Sequence, residues 1–70
     1  MNVRERVIDR CKARRAFGTP TAIYLGAVEW QEFRDSLTLN EVPEWLMDGQ
    51  ETWRGMRVFS VRTEYHLAVY

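Results

Sequence analysis

The chain has 70 residues and a formal net charge of zero, with one cysteine and one histidine. A chain of this length forms one domain, and its stability is limited because small domains bury only a modest fraction of their surface. One cysteine excludes an internal disulfide, and with one histidine it provides too few ligands for a structural zinc site. Three tryptophans, three tyrosines and three phenylalanines favour a well-packed core. Self-association is a second expected source of stability.

The sequence contains no apolar run near the roughly 20 residues that a membrane span requires. Its first residues, MNVRERVIDRCKARR, lack the apolar segment of a signal peptide. We therefore expect a cytoplasmic protein without a membrane partner.

Charge is distributed unevenly along the chain. Six basic and two acidic side chains give residues 1–17 a net charge of +4, whereas seven acidic side chains and one arginine give residues 29–51 a net charge of −6. This polarity favours either docking of the first helix on the second, within or between chains, or recognition of a charged partner.

The first two predicted elements are a helix and a strand. Residues 2–16 contain neither glycine nor proline, and an apolar stripe recurs every fourth residue at Val3, Val7 and Cys11, which predicts a helix. Gly18 and Pro20 end it. The apolar, β-prone residues 22–25 then predict a buried strand.

A second helix follows the strand directly. Gly26 provides the turn, after which the apolar period becomes helical through Ala27, Trp30, Phe33 and Leu37. Glu29 and Glu32 fall in the first turns, where carboxylates interact favourably with the helix dipole.

The remaining elements are a short helical turn and two strands. Pro43 can begin a turn over residues 43–47, with Asn40 as a possible cap. Alternating apolar residues predict strands over 56–61 and 65–70, and the second is expected to be central because both of its faces are apolar. The order α-β-α-turn-β-β predicts one α+β domain over residues 1–70, with a three-stranded sheet and helices on one face.

Candidate catalytic groups are few. A nucleophile and base would have to combine Cys11 or a hydroxyl with His66, but the cysteine lies on an apolar helix stripe and the histidine alternates with strand residues. Neighbouring carboxylates such as Glu29 and Glu32 are expected to be solvated. The glycines are dispersed and no metal-ligand spacing occurs. An enzyme is therefore the least supported class, and we expect neither a cofactor nor a metal.

Two segments are candidates for contact with a partner. The basic helix offers arginines that either face a protein or follow nucleic-acid phosphates, with Phe17 as a stacking ring. The second segment is an aromatic turn bounded by acids, in which Trp45 is either a core plug, the interpretation we favour, or an exposed anchor. The candidate partner-binding residues are Arg10, Arg14, Arg15, Glu41, Glu44, Trp45, Met47 and Asp48.

Two stretches, PTAIYLGAVEWQEF and WRGMRVFSV, resemble strand–helix and glycine-then-strand pieces of tailed-bacteriophage capsid and morphogenesis proteins. In size and style the chain is also similar to small phage accessory proteins, including anti-CRISPR proteins and other inhibitors of host machinery. These resemblances imply a non-enzymatic protein that binds a host or phage protein, and they transfer no functional residue.

We therefore expect a small protein-binding module, phage-encoded and inhibitory toward a host protein or complex, acting in the host cytosol. One alternative is a nucleic-acid-binding protein that uses the basic N-terminal helix. Another is a self-assembling structural or morphogenesis subunit, in which the basic helix of one copy docks on the acidic helix of the next, so that a homo-oligomer is possible.

Overall fold

A computed structural model describes residues 2–45 and 51–70, without the side chain of Glu44. Within these ranges the chain forms three helices and four strands. In chain order they are α1 (Val3–Arg14), β1 (Ala22–Leu25), α2 (Ala27–Asp35), α3 (Val42–Trp45), β2 (Thr52–Trp53), β3 (Met56–Ser60) and β4 (Leu67–Val69). The predicted α+β class is confirmed. No helix in the described ranges has the length and apolar character needed to cross a membrane.

Helix α1 begins at Asn2, whose side-chain oxygen accepts a hydrogen bond of 2.8 Å from the backbone N–H of Glu5. It buries Val3, Val7 and Cys11, the stripe that the four-residue spacing predicts. The helix is shorter than expected at its C-terminal end. The chain leaves it through Gly18, whose φ of +144° is rarely adopted by a residue with a side chain.

The sheet has four strands in the order β2-β3-β1-β4. Strand β1 is central, parallel to β3 and antiparallel to β4, while β2 and β3 are antiparallel neighbours. The predictions of three strands and of a central last strand are therefore wrong. Strand β2 has only two residues, too few to show an alternating pattern, and β4 is an edge strand because, among the described strands, it pairs with β1 alone.

The core lies between the helices and one face of the sheet. Helix α2 packs on β1 and β3, α1 on β4 and α2, and α3 on β2. The buried apolar residues are Val3, Val7, Cys11, Ile23, Leu25, Phe33, Trp45, Trp53, Met56 and Val58. On the opposite face the Tyr24 and Phe59 rings stack at 4.9 Å, and Tyr70 meets Tyr24 edge-on at 5.4 Å. This aromatic row joins β1, β3 and the residue that follows β4 on the face away from the core.

Gly26 joins β1 to α2 where the chain passes very close to the loop before β4. Its N–H donates to the carbonyl of His66 at 2.8 Å, and the next N–H, of Ala27, donates to Thr63 at 2.9 Å. A Cβ atom on Gly26 would lie 2.6 Å from the backbone nitrogen of His66 and 2.8 Å from the carbonyl oxygen of Glu64. Glycine is required here by this close approach.

Glu29 corrects the expectation of a solvated carboxylate, because its side chain is buried. Its Oε1 accepts a hydrogen bond of 3.0 Å from the backbone N–H of His66. This contact turns the first turn of α2 inward. Ala27 is consequently exposed and Trp30 only half-buried, whereas Phe33 is fully buried, so the buried face of α2 is rotated from the predicted one.

Candidate interaction surfaces

Among the described residues, strand β4 pairs on one side only, with β1. Tyr70 donates to the carbonyl of Ala22 at 2.9 Å, and His66 accepts from Gly26 at 2.8 Å. Backbone groups alternate in direction along an antiparallel strand, so those of Leu67 and Val69 point away from β1. Within the described ranges no strand pairs with that side. The β4 edge therefore presents free backbone donors and acceptors.

A groove of about 320 Å³ lies between the C-terminal half of α1 and this edge. It is lined by Arg10, Ala13, Arg14, Phe17 and residues 68–70. Three consecutive residues of a strand alternate between the two faces of a sheet. Since all three line the groove, it follows the strand's edge rather than one face of the sheet.

The groove combines cationic and exposed aromatic groups. The Phe17 side chain is 85% exposed and that of Tyr70 is 59% exposed. Arg14 Nη1 is buried without a hydrogen-bond partner among the described residues. A buried polar group without a partner costs free energy. This nitrogen therefore lowers the stability of the fold, while the Arg14 side chain also lines the groove.

The opposite edge of the sheet is organised by Glu41. Its carboxylate accepts two hydrogen bonds from Arg4, at 2.7 and 2.8 Å, and one from the Trp53 indole at 2.6 Å. A fourth comes from the backbone N–H of Thr38 at 2.9 Å. The hydrogen bond from Arg4 is the largest cause that lowers the pKa of Glu41 to about 2. Glu41 thus ties α1, the segment before α3, and β2 together.

Trp45 lies in the core, where the plug interpretation predicts it. Only 5% of it is exposed. Its ring centroid is 5.8 Å from that of Trp30 and 6.0 Å from that of Phe33. Its ring closes the core at the end of α3 and is therefore not an exposed anchor.

The candidate partner-binding residues divide into separate groups. Arg10 and Arg14 share the groove, whereas Arg15 lies on the other flank of α1 beside a different cavity. Met47 and Asp48 lie outside the described residues, as does the side chain of Glu44. A partner role for these residues stays a prediction.

Sequence reasoning missed the β4 edge, Tyr70 in the groove and the organising role of Glu41. The edge depends on pairing between distant segments, for which the sequence has no local signal. A signal for Glu41 was present, because Thr38-x-x-Glu41 matches the capping-box pattern at a helix start. In the structure the Glu41 carboxylate indeed reaches back to the Thr38 N–H.

The two residues considered for nucleophilic chemistry line different cavities. Cys11 is buried, its Sγ lies 3.7 Å from Met56 Sδ, and burial raises the pKa of its thiol. His66 is exposed and lines a cavity of about 360 Å³ with Tyr24 and Tyr70. The described residues contain no group of three or more His, Cys, Asp or Glu side chains able to hold a metal ion.

Comparison with known proteins identifies no relative: no family model, no curated protein and no solved structure matches the chain. We therefore infer function from the groove and the strand edge themselves.

Proposed function

We propose that this chain is a non-enzymatic protein-binding module that takes an acidic, extended segment of a partner as an additional strand along β4. The open β4 edge beside a basic groove carries the proposal. In strand addition, backbone hydrogen bonds provide affinity, and pockets for alternate side chains provide specificity. Leu67 and Val69 would supply the backbone groups.

The chemistry of the groove favours carboxylates in the partner. Arg10 and Arg14 lie one helical turn apart and both line it, and its described lining contains no acidic side chain. Guanidinium–carboxylate hydrogen bonds are charge-assisted and stronger than neutral ones. A partner carboxylate would pair with the guanidinium groups that line the groove and would neutralise its positive charge.

The exposed rings favour apolar residues at alternate positions of the partner. Side chains of an added strand point alternately to the two faces of the sheet. Those on the helical side would meet Arg14 and Phe17, and those on the other side would meet Tyr70. We therefore expect a partner segment in which acidic and apolar residues alternate.

The narrower form of this proposal is that the protein is phage-encoded and inhibits a host protein or complex. It is supported by the similarity in size and style to phage accessory proteins. A module that binds an extended segment of its partner inhibits by blocking that segment, which requires no catalytic group. This form predicts that the captured partner loses activity in proportion to its occupancy.

Two proline variants test strand addition. Val69→Pro removes an N–H that points to the open edge, and proline is tolerated on edge strands when its missing N–H faces solvent. Ala68→Pro is the matched control, because Ala68 is paired with Tyr24 and its N–H points to β1. We expect Val69→Pro to fold and Ala68→Pro to be clearly destabilised, as measured by thermal unfolding.

Binding is then measured with acidic, β-prone peptides selected by display on the wild-type protein. We expect Val69→Pro to weaken binding at least about tenfold, and bound peptide to slow hydrogen exchange at the Leu67 and Val69 amides. Unchanged affinity in a folded Val69→Pro variant, or protection confined to other amides, would overturn the proposal.

Capture from a cell lysate with wild-type and Val69→Pro baits identifies the natural partner. A protein that survives nuclease treatment and is lost with the variant supports the proposal. Recovery of nucleic acid alone, released by high salt, would instead favour the basic helix as the functional element. Sedimentation of the purified chain tests whether a second copy of the chain occupies the β4 edge. A dimer that Val69→Pro abolishes would show that it does.

A further inference from the structure

Three cations surround a second, smaller cavity on the other flank of α1. The cavity measures about 50 Å³, more than the roughly 10–15 Å³ that one water molecule requires. Its rim carries the exposed side chains of Lys12, Arg15 and Arg54. Its floor is formed by the buried residues Cys11, Trp53 and Met56. The site is thus a cationic rim over an apolar floor.

The three cations at this rim form no ion pair within 4 Å with a described residue. No carboxylate lines the cavity there, and the ion pair that the structure gives joins Arg4 and Glu41 elsewhere. Arg15 and Arg54 both lie within electrostatic range of the Cys11 thiol, since each acts to lower its pKa against the larger effect of burial. Like charges gathered in this way repel, and a bound anion would relieve the repulsion.

Arg54 also occupies a backbone position that does not favour arginine. It has φ of +51° and is followed by Gly55 with φ of +80°, in the two-residue turn between β2 and β3. Two positive φ values are typical of a type I′ turn, for which Asn-Gly and Asp-Gly are preferred. Arginine is less favourable there, so the turn itself does not explain this side chain. Its guanidinium lies 4.5 Å from the centroid of the Trp53 ring, beside the cavity.

We propose that this cationic cavity binds a phosphate group, either of a nucleic-acid backbone or of a small phosphate-bearing molecule. A terminal or free phosphate suits the site better than a single carboxylate because it carries up to two negative charges against three cations, whereas a backbone phosphodiester carries one. Guanidinium groups match phosphate oxygens in bidentate geometry, and an apolar floor reduces competition from water. The site lies outside the β4 groove and shares none of its lining residues.

Arg54→Asn is the decisive variant, because it removes the cation while giving the turn a preferred residue. We expect its melting temperature to stay close to that of the wild type, because the better turn residue offsets the lost contact with the Trp53 ring, while phosphate affinity falls at least about tenfold. Arg15→Gln should weaken binding in the same way. Arg62→Gln, an exposed arginine that does not line the cavity, is the matched control and should bind as the wild type does.

The probes are inorganic phosphate, pyrophosphate, and single- and double-stranded oligonucleotides, titrated by calorimetry and by amide chemical shifts. Binding of pyrophosphate alone identifies a small-molecule site, whereas tighter, strongly salt-dependent oligonucleotide binding identifies a backbone phosphate. Equal affinities in Arg54→Asn and the wild type, or binding of none of the probes, would overturn the proposal. Val69→Pro should bind phosphate normally, so this test and the strand-addition test fail independently.

Discussion

The two edges of the sheet use similar polar groups in opposite ways. At the β2 edge, Glu41 accepts hydrogen bonds from Arg4, Thr38 and the Trp53 indole, so its acceptors are occupied within the chain. At the β4 edge, Arg14 has a buried nitrogen without an acceptor among the described residues, and backbone groups face outward. The β2 edge therefore contributes stability, whereas backbone groups of the β4 edge remain unpaired among the described residues.

Two arginines of α1 illustrate this difference between the β2 and β4 edges. Arg4 is paired with Glu41 through both of its terminal nitrogens, whereas Arg14 borders an open groove. The N-terminal turn of α1 is thus paired within the chain, although with Glu41 before α3 rather than with a carboxylate of α2. Docking within the chain was one of the alternatives that the charge polarity left open. The C-terminal turns keep their positive charge. Substitutions at the β2 side should change folding, and those at the β4 side should change binding.

The largest expected effect is at Trp45, which closes the core on the β2 side. Trp45→Ala should lower the free energy of unfolding by about 3–5 kcal/mol, because it leaves a large cavity among packed rings. A loss of this size is comparable to the whole unfolding free energy of a small domain, so much of the variant should be unfolded at room temperature. Urea denaturation measures the change, and Trp45→Phe should retain most of the stability. A Trp45→Ala variant that unfolds like the wild type would show that Trp45 does not contribute to core packing.

Glu41→Gln should lower the free energy of unfolding by about 2–3 kcal/mol, because Arg4 loses its counter-charge in a partly buried environment. Glu32→Gln, on the exposed surface of α2, is the control and should change stability by no more than about 0.5 kcal/mol. Chemical denaturation of both variants tests the comparison. Equal losses in the two would show that the β2 edge does not depend on the Glu41 hydrogen bonds.

Acid should weaken the β2 edge over a defined range. The pKa of Glu41 is about 2 in the folded chain, below its ordinary value of 4.5. Its contribution is therefore complete above pH 4.5 and is lost as the pH falls toward 2, with a total of about 2–3 kcal/mol. Unfolding free energies measured across this range should decline more steeply in the wild type than in Glu41→Gln. Parallel curves would contradict the assignment.

The smallest effect on stability, with a large effect on binding, is expected at Arg14. Arg14→Gln should change the free energy of unfolding by no more than about 0.5 kcal/mol, because no ion pair is lost within the described residues. Affinity for an acidic peptide should fall about tenfold. Thermal unfolding and peptide titration on the same samples separate the two effects. A strongly destabilised variant would show that the β4 edge also contributes to folding.

Local patterns predicted the elements well and their arrangement poorly. The four-residue spacing of Val3, Val7 and Cys11 and the apolar residues of β1 each depend on neighbours in sequence, so both were found. The position of β4 depends on its pairing with β1 far away in the chain. The burial of Glu29 depends on one backbone N–H, that of His66, which no pattern within α2 reveals.

Sequence patterns predicted the candidate surfaces only in part. The sequence identified Arg10 and Arg14 as candidates, but it gave no reason to separate them from Arg15, since all three lie close together in a basic segment. Their separation follows from the side of α1 that each side chain occupies once the helix has packed on the sheet. The unusual place of Arg54 became visible only with its backbone conformation.

The pairing of β1 with β4 also bears on how the chain folds. The hydroxyl of Thr21, just before β1, contacts the carbonyl of Tyr70, which lies 49 residues further along the chain. Long-range pairing of this kind slows folding, because a large loop must close before its contacts form. During synthesis the central strand therefore waits for its antiparallel neighbour until residues 67–70 have been added.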